Sequence, residues 1–111
     1  MKKPDVLRKQ EDFTRLYKKG RSTGSRHLVL LYRKNGLSTN RKAFLASKKV
    51  GNSVVRHRTT RLIREAVRLH EKEFLPGHDI VFVARVRAKE IGYFRMEAAM
   101  LHLMKKAGIR V

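Results

Sequence analysis

Four arginines recur at steps of three and four residues, at Arg58, Arg61, Arg64 and Arg68. At about 100° per residue, that spacing lines them up with His57 along one side of a helix, roughly a turn apart. Arginine suits phosphate because its planar fork makes bidentate contacts, is weakly hydrated and never loses its charge. Glu65 is the one acid near this row, so pairing at i, i+4 does not neutralise it. The opposite arc reads Val55, Thr59, Leu62, Ile63, Ala66 and Leu69, an apolar side for burial. A solvated helix face would call for more acid among these bases, so the pattern favours a helix that offers guanidinium groups to a polyanion.

Catalytic chemistry of the protein's own is harder to find. No paired carboxylates stand at metal-ligand spacing, and no Ser/His/Asp or His-x-Glu arrangement occurs. His27, His57, His70, His78 and His102 are scattered, and His70 with Glu73 reads as a surface pair on one helix face. With no cysteine, a thiol nucleophile, a disulfide framework and Cys-ligated metal sites are excluded. Phe13 and Tyr17 stand at i, i+4 with Leu16 turned aside, so two aromatic rings share a helix face, which spacing alone reads as ordinary core aromatics.

These groups are carried by a chain of 111 residues, read as one domain over 1–111, with 41% apolar residues for a core. The formal charge is +19 and the pI about 11.3, which points to nucleic acid as the counter-charge. No apolar run approaches the roughly 20 residues of a membrane span, and no signal-peptide core follows Met1 to Asp5, so the expected compartment is the cytoplasm. The periodicity predicts a helix over Gln10–Lys19 stopped by Gly20, a loop over Arg21–Ser25, and strands at His27–Tyr32 and Lys42–Ser47 joined as an antiparallel hairpin. A long helix capped by Asn52 or Ser53 runs on to about Lys72 before Pro76-Gly77. A buried central strand follows over Asp79–Ala84, then a last helix over Ile91–Ala107 with an apolar stripe of Phe94, Ala98, Met100 or Met104, and Leu101. The order α-β-β-α-β-α makes an α+β two-layer sandwich of helices on a small sheet. A tight helix-turn-helix DNA binder does not fit the strands that flank the long helix.

The stretch Lys48-Lys49-Val50-Gly51-Asn52-Ser53-Val54-Val55-Arg56-His57-Arg58-Thr59-Thr60-Arg61-Leu62-Ile63-Arg64-Glu65-Ala66 resembles the signature of the protein subunit of bacterial ribonuclease P, an Arg-Asn-Arg core followed by Arg-Leu-Ile-Arg-Glu. Flanking matches occur in order: Arg8 to Phe13, Tyr17 to Gly20, Leu28 to Tyr32, and Asp79-Ile80-Val81 with Ala84-Arg85. Three positions depart from the family's habit. His57 replaces asparagine, Thr59-Thr60 replaces an Ile-Lys pair, and Leu31 stands where many relatives have tyrosine.

The resemblance implies a ribosomal-protein-like sandwich with a small, mostly antiparallel sheet and a left-handed β-α-β crossover. It implies a partner for a catalytic RNA that removes the 5′ leader of precursor tRNA with magnesium held by the RNA-based holoenzyme, the protein itself binding no metal tightly and supplying no catalytic residue. One protein per RNA subunit is expected. By similarity Lys48, Lys49, Asn52, Arg56, His57, Arg58, Arg61, Arg64 and Arg68 would face the catalytic RNA. Phe13, Tyr17, Val29, Leu31, Ser47 and Lys49, with Lys48 beside it, would hold the single-stranded leader. A ribosomal or other structural RNA-binding protein is the alternative that composition alone would also allow.

Overall fold

The computed structural model describes residues 6–111; the segment read above for a signal peptide lies outside them. Helix α1 spans Gln10–Lys19, followed by strands β1 (Arg21–Gly24), β2 (Leu28–Lys34) and β3 (Arg41–Ala46), helix α2 (Ser53–Leu69), strand β4 (His78–Ala84) and helix α3 (Tyr93–Ala107). The sheet runs β1-β2-β4-β3. β1 and β4 flank β2 antiparallel, whereas β3 lies parallel to β4. β3, α2 and β4 thus form a β-α-β unit inside an otherwise antiparallel sheet.

Two expectations change here. Arg21–Gly24, expected as loop, is an edge strand, because Arg21 to Gly24 pair with Tyr32 to Val29. β2 and β3 are not a hairpin. β4, almost wholly buried along its length, comes between them, since the most apolar strand gains most from the centre of the sheet.

The pleat divides the sheet into two faces. Leu28, Leu30, Ile80, Phe82 and Ala84 join α2 and α3 in the main core, with Tyr32, Phe44 and Ala46 packed at its margin. The other face carries Leu31, Val81 and Ala43 in register, then Val29, Val83 and Leu45. α1 covers that face only in part, through Leu16, and a small cluster forms with Leu7 and Val81.

The helices are seated slightly differently from the expected stripes. α2 buries Thr59, Ile63, Ala66 and Val67, while Leu62 is half-buried and Leu69 exposed. α3 buries Met96, Met100, Leu103 and Met104. Phe94, expected in the stripe, is 81% exposed, Ala98 is exposed and Leu101 is half-buried. Flexible methionines fill the space between two helices and a sheet better than a ring would, and this turns the helix by about a quarter of its circumference.

Candidate nucleic-acid interface

β3 runs out at Ala46 into exposed Ser47 and a short 3₁₀ turn, Lys48–Val50, which leads through Gly51 into α2. Val50 is fully buried and pins the turn, leaving Lys48 and Lys49 exposed. Gly51 has φ 157°, and a Cβ there would come within 2.9 Å of the Val55 side chain. The turn is therefore pressed against the first turn of α2 at a place where only glycine fits. Asn52 caps α2, its side-chain oxygen accepting the Val55 N–H at 3.0 Å, so that oxygen is already engaged.

His57, Arg58, Arg61, Arg64 and Arg68 are all exposed along α2, as the helical spacing required, but they differ in freedom. Arg68 donates to Glu65 at 3.1 and 2.5 Å, which holds the Glu65 carboxyl below the usual carboxylate range. Arg64 lies over the Phe44 ring, 5.4 Å from its centre. Arg58 and Arg61 have no carboxylate partner among the described residues. Arg56 departs from the expected row. It is half-buried, turned about 140° around the helix from Arg61 towards the sheet, and its Nε is buried without a partner among the described residues.

On the other face of the sheet, Phe13 and Tyr17 stand on the same side of α1. Phe13 is half-buried on the small cluster and Tyr17 is 57% exposed. Val29 and Leu31 are half-buried beside them, and Tyr32 points to the main core as expected. The floor also includes Val83 and Leu45, half-buried in the Val29 row. Neither was singled out from sequence, although strand alternation alone would have put them next to Val29. The result is an apolar strip with aromatic rings on one wall and Ser47, Lys48 and Lys49 at one end.

α1 is tied down at its start by a buried ionic cluster. Arg41 donates through Nε and Nη2 to the two Asp79 oxygens at 2.8 and 2.7 Å, and through Nη1 to Asp12 at 3.4 Å. Asn35 adds a bond to Asp79 at 3.1 Å. Hydrogen bonding to Asp79 raises the Arg41 pKa above its already high value, so the charge is permanent. A second cluster joins α2 to α3. His70 contacts Glu73 through Nδ1 and Glu97 through Nε2 at 2.8 Å, and Tyr93 donates to Glu97 at 3.2 Å. Hydrogen bonds to Glu97 and then to Glu73 push the His70 pKa up. His70 with Glu73, read from sequence as a surface pair, is thus part of a helix-to-helix tie.

No helix among the described residues is long and apolar enough to cross a membrane.

Residues 1–108 match the family model described as Ribonuclease P. The ribonuclease P protein component of Alkaliphilus metalliredigens is 46% identical over 106 residues, covering 96% of each chain, and that of Clostridium botulinum is 43% identical over 108 residues, covering 96% of this chain and 97% of the relative. Among solved structures, the Staphylococcus aureus RNase P protein superposes with a TM-score of 0.89 at 32% identity, over 96% of this chain and 98% of the other. The RNase P protein from Thermotoga maritima gives 0.84 at 28% identity, over 91% and 96%.

Proposed function

The chain belongs to the ribonuclease P protein family, and from that premise we propose how its surfaces serve the reaction. It is the protein component of an endoribonuclease that matures the 5′ end of tRNA, in partnership with the ribonuclease P RNA. The alternative of a ribosomal RNA-binding protein has no comparable support. Bond cleavage belongs to the RNA, with magnesium held there. The protein supplies binding surfaces, one copy to each RNA, in the cytoplasm.

α2 docks on the catalytic RNA. Arg58 and Arg61, exposed and without an acid partner among the described residues, neutralise backbone phosphates most directly, with His57, Arg64, Arg68, Lys48, Lys49 and the amide group of Asn52 beside them. Each neutralised phosphate releases counterions and lowers the magnesium and salt that the assembly needs. The strip on the opposite sheet face takes the single-stranded leader. Bases stack on Phe13 and Tyr17 and lie over Val29, Leu31, Val83 and Leu45, while Ser47, Lys48 and Lys49 meet the backbone. Because mature tRNA lacks a leader, contacts there favour precursor over product, and about 1.4 kcal/mol of such preference already discriminates tenfold.

The observation that carries this reading is the exposed Arg58–Arg61 pair in the first half of α2, without an acid partner among the described residues, on a helix whose other side is buried. It is tested by mixing the protein with a ribonuclease P RNA and assaying precursor cleavage at limiting magnesium. Added protein should restore cleavage. In the same assay Arg58→Ala and Arg61→Ala should each lower the slope of log affinity for the RNA against log salt by about one. No rescue by the wild-type protein, or slopes unchanged in both variants, overturns the reading.

A further inference from the structure

Between the edge strand β3 and the second half of α2 lies a half-open cavity of about 490 Å³, a size typical of small-ligand sites. Its apolar lining includes Phe44 and Val67, with Val6 of the N-terminal segment and Ala43 beside them, and its rim carries Lys42, Arg64, Arg68 and Glu71. The Phe44 ring is parallel to Phe82, with centres 6.4 Å apart, at the margin of the main core. The Arg64 guanidinium sits over it and extends the aromatic surface towards solvent. Lys42 reaches Glu71 at 2.5 Å, with the lysine mostly covered and the glutamate exposed.

The strand edge contributes as well. Leu7 N–H donates to the Lys42 carbonyl at 3.0 Å, so Lys42 turns its peptide groups to the open side of β3. Every second residue of a strand does the same, which puts the amide and carbonyl of Phe44 on that side, past the point where the N-terminal segment pairs. A flat aromatic surface, a cationic rim and an unpaired backbone donor and acceptor are the three features that an unstacked base with its phosphate requires.

We infer that this cavity is a nucleotide pocket, taking one unpaired nucleotide of the catalytic RNA. The occupant follows from continuity. Arg64 and Arg68 belong both to the pocket rim and to the exposed face of α2, so an RNA strand along α2 passes the mouth. The inference rests on the α2 interface proposed above. The base lies against Arg64 and Phe44 with its edge towards the Phe44 backbone, and its phosphate takes Lys42 in exchange for Glu71.

The test measures binding of the full-length protein to a ribonuclease P RNA. Phe44→Leu, which keeps an apolar side chain and loses the ring, should weaken binding about tenfold with the salt slope unchanged. Lys42→Gln should lower the slope by about one. Arg61→Ala, outside the pocket, separates the two levels. If it has no effect, the α2 interface itself fails; if it weakens binding while Phe44→Leu does not, the pocket alone fails. A measurement on the wild-type complex decides the matter even if Phe44→Leu does not fold. Short-wave ultraviolet crosslinking followed by trypsin and fragmentation of the peptide Ala43–Lys48 should place a nucleotide on Phe44 itself. Crosslinks confined to α2, or within that peptide to Ser47 and Lys48, overturn the inference.

Discussion

At the scale of single residues, the leader strip makes the sharpest demand. Phe13→Ala and Tyr17→Ala remove stacking surfaces, each contributing on the order of 1–3 kcal/mol per base. Precursor affinity of the assembled enzyme should fall about tenfold or more for the pair, while mature tRNA binding stays the same; competition binding with the two RNAs reads this directly, and equal losses would exclude a leader role. Phe13, Tyr17, Arg58 and Arg61 were legible in the sequence because one periodicity places each of them. Arg64 and Arg68 were legible only in position. What each guanidinium touches depends on Phe44, a residue of a different element, and on which rotamer brings Glu65 into reach. Arg56 shows the opposite limit. It belongs to the motif by spelling, yet lies about 140° from Arg61 around the helix and turns towards the sheet.

Between elements, the two ionic clusters act as ties, and each has its own signature. Arg41 bridges Asp79 of β4 and Asp12 of α1, all three largely buried. Arg41→Met takes the shared cation from two acids, leaving Asp79 only the Asn35 bond and Asp12 only Arg15 among the described residues. It should cost about 3 kcal/mol, read as a lower midpoint in urea unfolding, with precursor selectivity falling alongside because Phe13 follows Asp12 in α1. The His70 tie depends on pH. Its folded pKa is raised by Glu97 and Glu73, so its contribution is complete below about pH 6.5, the ordinary imidazole value, and is lost as pH rises through the raised one. The Tm should therefore drop across that window for the wild-type chain and stay flatter for His70→Gln; parallel curves would refute the tie. The C-terminal ends of α1 and α3, the central place of β4 and the cap at Asn52 were legible, because Gly20, Gly108, the apolar run and the Asn side chain act locally, whereas α2 stops at Leu69, short of the expected Lys72. The order of strands was not. A hairpin and a split pair have the same spelling, and what decides between them is the late arrival of β4. β1 was hidden for a similar reason, since Arg21-Ser22-Thr23-Gly24 carries no strand signal and forms only because β2 offers an edge.

For the molecule as a whole, the division of labour follows from the sheet having two faces. α2 and α3 occupy one and α1 part of the other, so the surface proposed for the catalytic RNA and the strip proposed for the leader are separated by the thickness of a body measuring 36 × 28 × 28 Å. They meet only at Ser47 to Asn52. The net charge of +19 serves both surfaces. Composition made that charge legible and the Lys48–Ala66 motif the family, but neither showed the distribution of charge over two sides, which needs the topology. The Gly51 junction then has a geometric consequence. Because a side chain there would collide with Val55, the lysine turn packs closely against the arginine helix, and on the proposed function the two act as jaws of a caliper set on two RNAs. Gly51→Ala should spread the jaws. Mapping the 5′ ends of the tRNA product would then show cuts displaced along the precursor, and a wild-type cut site at reduced speed would mean that the caliper has no say in where the phosphodiester breaks.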